Sequence, residues 1–210
     1  MEKRRNTFFL TLILVGTLIT AGLVFWSSFR VKTSSTPTES LAANSNTLVV
    51  SETETKEEVL APNGKMTLIL RNVKKADGTT AQTFSVISED EVTPLQIYTL
   101  NSGTDNSISI PFNTFSPDNK FIFLKKGQSE KSEYMVLRTD GKNIKGEDKT
   151  VEFTSLFYEK YPEFVITDVT GWGGTGLIVV NSNYLDGKMG PSFWFDLSGF
   201  SFIRLSTKFN

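Results

Sequence analysis

The stretch "FSPDNKFIFLKKG", Phe115 to Gly127, joins a compact polar turn to an apolar run that leaves it at once. Pro117 presets φ for a tight turn, Asp118 can accept from the backbone two residues on, and Asn119 tolerates positive φ, so the polar half predicts a turn with Ser116 at its head and "FIFL" predicts a strand. The same layout returns in "LAPNGKMTLILRN", Leu60 to Asn72, where Pro62, Asn63, Gly64 and Lys65 hold the turn. Pro62 and Pro117 stand 55 residues apart. A third, eroded copy is "VTGWGGTGLIVVNSN", Val169 to Asn183, in which Gly173, Gly174 and Gly176 replace the Pro-Asp turn and "LIVV" falls 56 residues after "FIFL". The next segments correspond as well: "YMVLRTDGK", Tyr134 to Lys142 with the Asp140-Gly141 turn, matches "SFWFDLSGF", Ser192 to Phe200. A fixed period of this kind marks a repeat architecture.

Each copy divides into four short strands separated by turn residues. The first reads "KEEVLAP", "KMTLILRN", "AQTFSVISE" and "TPLQIYTLN"; the second "SISIPFN", "KFIFLKKG", "SEYMVLRTD" and "TVEFTSLFY"; the third "EFVITDV", "GLIVVNS", "SFWFDLS" and "FSFIRLST". In "KMTLILRN", Met66, Leu68 and Leu70 alternate with Thr67 and Ile69 in the strand manner. The expected fold is all-β, three four-stranded antiparallel sheets with repeats at about 57–101, 107–158 and 163–207. Helical character is confined to "TSLFYEKYPEF", which suggests a single turn.

The Ser116-Pro117-Asp118-Asn119-Lys120 turn before an apolar strand, with Thr139-Asp140-Gly141 closing the next strand, resembles the blade repeat of TolB-type, WD40-like β-propellers. Pro62-Asn63-Gly64-Lys65 carries the resemblance more weakly. It implies a blade-like sheet for each copy, about Lys56 to Asn210, and says little about activity, since such propellers serve as binding platforms in unrelated systems. Propellers close with four to eight blades, whereas three copies are present. An open three-blade wedge, a six-blade ring built from two chains and a packed all-β body are the alternatives. The expectation favoured here is a monomeric or weakly dimeric three-sheet body.

Upstream, "FFLTLILVGTLITAGLVFW", Phe8 to Trp26, runs nineteen residues without a charge. At 1.5 Å per residue that spans roughly 28 Å, the thickness of a bilayer's hydrocarbon core. Lys3, Arg4 and Arg5 precede it, so the positive-inside rule predicts a cytoplasmic N-terminus (1–7), a signal-anchor helix (8–26) and an extracytoplasmic remainder of a single-pass protein of the cell membrane. A cleaved signal peptide would show a shorter apolar core ending at a small-x-small site. Residues 27–56 are rich in Ser, Thr, Asn and Glu, without an aromatic residue after Phe29, and read as a flexible linker in which only "TLVV", Thr47 to Val50, suggests an edge strand.

Among 210 residues there is no Cys and no His. That removes Ser-His-Asp and Cys-His catalysis, thiolate chemistry and the zinc, haem and iron–sulfur sites that depend on those ligands, so no metal and no cofactor is expected. From Glu57 onward 16 Lys/Arg face 19 Asp/Glu, a net charge of −3, and no basic stripe suggests nucleic acid. The aromatic cluster Trp172, Tyr184, Phe193, Trp194 and Phe195 could form a platform for sugars or peptide side chains, with Trp172, Tyr184 and Trp194 as candidate contacts, although alternating aromatics on strands more often build core. "GWGGTG", Gly171 to Gly176, lacks the Gly-Lys-Ser/Thr ending of a phosphate loop and reads as a turn or bulge. Asp168, Asp186 and Asp196 could serve carboxylate chemistry on a glycan, but their spacing selects no pair. Asp77-Gly78 and Asp186-Gly187 are turn dipeptides outside any calcium-loop pattern. Lys120, Lys125, Lys126 and Lys131 gather near the opening stretch, where lysine commonly guards strand edges. The expected function is a non-catalytic, membrane-anchored binding or scaffold module for a protein or cell-envelope partner, with a carboxylate-dependent glycan hydrolase or glycan-binding protein as the alternative.

Overall fold

The computed structural model describes residues 53–103, 107–127 and 132–206. The expected cytoplasmic segment and span (1–26), the linker up to residue 52 with its "TLVV" strand, Lys131, and residue 207 lie outside them. Among the described residues no helix is long and apolar enough to cross a membrane.

Among the described residues twelve strands form three antiparallel meanders. Sheet 1 holds β1 (Thr53–Leu60), β2 (Met66–Lys74), β3 (Thr80–Ser88) and β4 (Leu95–Ser102) in that order. Sheet 2 holds β5 (Ile108–Ser109), β6 (Phe121–Lys126), β7 (Glu133–Arg138) and β8 (Thr150–Glu152). Sheet 3 holds β9 (Phe164–Gly174), β10 (Leu177–Tyr184), β11 (Met189–Asp196) and β12 (Ser201–Arg204). The second strand of each sheet starts at Met66, Phe121 and Leu177, so the sequence period of 55 and 56 is also the period of the architecture.

Two hydrophobic clusters show how the sheets stack. Leu68, Leu70, Phe84, Val86 and Ile97 of sheet 1 meet Ile122, Leu124, Met135 and Leu137 of sheet 2. The other face of sheet 2, Phe123, Tyr134 and Val136, meets Val169, Ile178, Val180, Phe193 and Phe195 of sheet 3. Sheet 2 is therefore covered on both faces. This is why "FIFL" and "YMVL" are unbroken apolar runs, whereas β2 of sheet 1 alternates buried Leu68 and Leu70 with half-buried Thr67 and Ile69. Burying one such side chain stabilises by about 1.5–3 kcal/mol.

Two expectations require correction. "TVEFTSLFY" is a strand only through Glu152; Phe153–Lys160 forms a two-turn helix, α1. As a strand this segment would turn Leu156 and Tyr158 away from the face that takes Phe153 and Phe157. As a helix all four pack on the core, with Phe153 and Phe157 wholly buried. The Thr154 hydroxyl accepts the buried Tyr134 amide at 2.7 Å where the ladder would have continued. Pro162 follows the last turn. The second correction concerns Thr53 to Lys56, assigned to the linker by their polarity. They are the first half of β1, in register with Arg71 to Lys74 of β2 and fastened by the Glu54 carboxylate, which takes the Arg71 guanidinium at 2.6 and 2.7 Å.

Polar side chains join the sheets. Gln82, 4% exposed, accepts the Ile108 amide at 2.7 Å and donates to the Ile108 carbonyl at 3.0 Å. It thus acts as a ladder partner between sheets 1 and 2. Between sheets 2 and 3, Asn113 Nδ2 donates to the Thr170 carbonyl at 3.0 Å and Trp172 Nε1 to the Thr114 carbonyl at 3.1 Å.

Candidate functional site

The two better entry turns share the same backbone bonds. Ser116 N–H donates to the Phe121 carbonyl and Asn119 N–H to the Ser116 carbonyl, as Ala61 N–H does to Met66 and Gly64 N–H to Ala61. Asp118 accepts the Lys120 amide at 3.3 Å, as Asn63 accepts that of Lys65 at 2.9 Å. Asn119 and Gly64 take the positive φ, 57° and 73°. Pro62 and Pro117 thereby project from equivalent corners at one end of the strands. Thr139-Asp140-Gly141 forms the expected turn, with the Arg138 fork on Asp140 and Gly141 at φ 68°. In the third copy the positive φ falls on Phe200 (47°) instead of Gly199.

The glycines of "GWGGTG" serve close approach within a bulged strand. At Gly171, φ 140°, an added Cβ would meet Asn113 Cβ at 2.8 Å; at Gly173 it would meet Trp194 Nε1 at 2.9 Å. The register of β9 against β10 shifts through this segment.

Where these turns converge, Pro62 of sheet 1, Asn113, Phe115 and Pro117 of sheet 2, and Thr170 to Trp172 with Val179 of sheet 3 enclose an open pocket of about 360 Å³. Among the described residues no titratable side chain lines it. Trp172 forms its wall with the indole nitrogen already committed to Thr114, its ring stacked 6.5 Å from Phe121 and tilted against Phe123 at 6.0 Å.

The five aromatic residues read as one cluster do not share a surface. Phe193 and Phe195 are wholly buried in the ring-packed core around Phe157 and Phe202. Trp172 is half-buried toward sheet 2. Trp194, paired with Val179 and Ile203, lies on the opposite face of sheet 3, and Tyr184, 39% exposed, ends β10 at the far end of the strands.

The far end holds a second, more enclosed groove of about 460 Å³, which sequence reading missed. It opens where β8 stops and α1 diverges, between Tyr158 of α1, Pro162, Phe164 and Val165 of β9, and Leu185 after β10, with Glu133 and Glu152 at the lip. Lys126 Nζ bridges those two carboxylates at 3.3 Å each. β1 also begins at this end.

The carboxylates are dispersed. Asp186 precedes β11 and Asp196 is its last residue, which at about 3.3 Å per residue puts more than 20 Å between them; Asp168, paired with Asn181, is two strands from Asp196 and roughly 16 Å away. An acid–base pair on a glycan needs no more than about 9.5 Å. The Lys188 ammonium and amide hold the Asp186 carboxyl below its usual range, and the Arg138 guanidinium does so for Asp140. Burial, with the Asp168 carboxylate nearby, pushes the Tyr134 phenol up to about 12. Lys120 pairs with Asp118, and Lys126 with Glu133 and Glu152, so those cations serve turn and strand ends. Among the described residues no group of three or more acidic side chains is gathered to hold a metal ion.

The chain matches no protein-family model, no curated protein and no solved structure.

Proposed function

We propose that the chain is a membrane-tethered, extracytoplasmic binding or scaffold module with an open, three-blade relative of the TolB-type propeller as its body, engaging a protein or cell-envelope partner without catalysis. The observation that carries this reading is the junction pocket: proline, aromatic and glycine positions from all three sheets converge there, and among the described residues no side chain lining it can transfer a proton at neutral pH. The repeat of entry turns supports the propeller relationship, because it places equivalent corners at one end of the strands, where propeller-like platforms present their loops. The uncharged run from Phe8 to Trp26 supports the tether.

A pull-down from detergent-solubilised membranes tests it, using the tagged full-length chain and its Pro62→Lys variant. Pro62 is exposed and its substitution puts a cation at the pocket mouth without opening the core. The expected outcome is a co-purifying partner that Pro62→Lys loses. Turnover of cell-wall glycan by the purified chain would overturn the non-catalytic reading.

A further inference from the structure

We infer that the groove between α1 and the start of β9 is a second binding site, specific for an extended peptide segment that carries a large apolar side chain flanked by lysine or arginine. This goes beyond the junction pocket, which lies at the other end of the strands.

Tyr158, Pro162, Phe164, Val165 and Leu185 make the groove predominantly apolar, and its volume of about 460 Å³ lies in the range of ligand pockets. The apolar surface continues outward: Leu185 is 71% exposed, Met189 70%, Tyr184 39% and Val165 37%. A cluster of exposed large hydrophobic side chains at one place marks a contact surface.

The edge of β9 limits how an occupant can enter. Its outward amide at Phe164 already donates to the Tyr161 carbonyl at 3.2 Å, and that at Ile166 to the Tyr158 hydroxyl at 3.4 Å. An added β-strand finds those donors taken, so the occupant engages side chain first.

Charge selects its neighbours. Glu133 and Glu152 stand at the lip, Glu159 follows Ser155 by one turn of α1, and Glu163 sits between Pro162 and Phe164. Against these four, among the described residues, stand Lys126, already bridging Glu133 and Glu152, and Arg204, which lies over the Phe164 ring at 5.3 Å. Lys160 is turned away to the Phe202 carbonyl, and Lys188 is held by Asp186. No ion pair engages Glu159 or Glu163 among the described residues. Two free carboxylates beside an apolar groove favour cations on either side of an apolar anchor, and they repel an anionic lipid surface.

Fluorescence anisotropy with the full-length protein in detergent tests this, using the labelled peptides acetyl-Gly-Lys-Phe-Lys-Gly-amide and acetyl-Gly-Glu-Phe-Glu-Gly-amide. The basic peptide is expected to bind at least about tenfold more tightly than the acidic one and to weaken as salt rises from about 50 to 500 mM. Leu185→Asp, at an exposed position, removes binding of the basic peptide. The double variant Glu159→Lys/Glu163→Lys weakens it about tenfold or more. Pro62→Lys leaves it unchanged, which separates this site from the junction pocket. Equal binding of the two peptides, no binding, or indifference to Leu185→Asp overturns the proposal, as does binding of phosphatidylglycerol vesicles that Leu185→Asp abolishes.

Discussion

Asp118 accepts from the Ser116 hydroxyl at 2.8 Å and the Lys120 amide at 3.3 Å, and its second oxygen lies 3.2 Å from Lys120 Nζ. Partial burial opposes ionisation, but the bonds from Ser116 and Lys120 outweigh it and hold the carboxyl below its ordinary value of 3.8. A depressed folded-state pKa contributes stability that is fully present above the unfolded value and is lost as pH falls through the folded one. Asp118→Asn should therefore lower the melting temperature at pH 7 by on the order of 2–4 °C, equivalent to about 1 kcal/mol, and the gap should close as pH drops below 3.8. Thermal unfolding at pH 7, 5 and 2.5 measures it; a gap unchanged at pH 2.5 would show that the charge contributes nothing. This turn was legible in the sequence because the bonds that shape it are local, from Ser116 to Phe121, although Thr139 also donates from the next strand end to the Asn119 and Lys120 carbonyls. Gly171 and Gly173 were not, because what they admit, Asn113 and the Trp194 indole, comes from distant parts of the chain.

Between elements the same contrast decides what could be read. All twelve strands were marked by their own patterning, whereas the cover on both faces of "FIFL" and "YMVL" emerged only from the packing of sheets 1 and 3. The helix α1 was under-read because Phe153 and Phe157 share a face in either conformation, and only packing of Leu156 and Tyr158 distinguishes them. Gln82 gave no sequence signal at all, as a polar residue alternating along an ordinary strand. Yet it satisfies both backbone groups of Ile108 in a buried joint. Gln82→Met keeps the side chain's length and leaves those groups without partners. The expected loss is about 2–4 kcal/mol, set by two buried backbone groups at about 1–3 kcal/mol each with some relaxation. Gln96→Met on the exposed strand β4 should stay within about 0.5 kcal/mol. Urea unfolding monitored by tryptophan fluorescence compares them, and equal losses at the two sites would mean that the joint is not held by Gln82.

At the scale of the molecule, the stack of three sheets ends on unlike faces. The outer face of sheet 1 carries the Glu54–Arg71 and Lys56–Glu58 ion pairs. The outer face of sheet 3 carries Val179, Trp194 and Ile203, the last 45% exposed. A six-blade ring from two chains would press the charged face of each copy onto the apolar face of the other, desolvating four charges without new partners. Closure of that kind is disfavoured, whereas two sheet 3 faces meeting about a twofold axis would join apolar centres and bring in two carboxylates from each, Asp168 and Asp196, which share that face by register. The expected behaviour is a monomer at low concentration, with any association at about 100 µM abolished by Trp194→Glu. Sedimentation equilibrium supplies the masses. Oxidative crosslinking supplies the orientation: in a chain bearing only Ile203→Cys, a covalent dimer fits the twofold contact. Efficient mixed crosslinking between a Glu58→Cys chain and an Ile203→Cys chain, exceeding either alone, would instead establish the ring and overturn the argument from face chemistry.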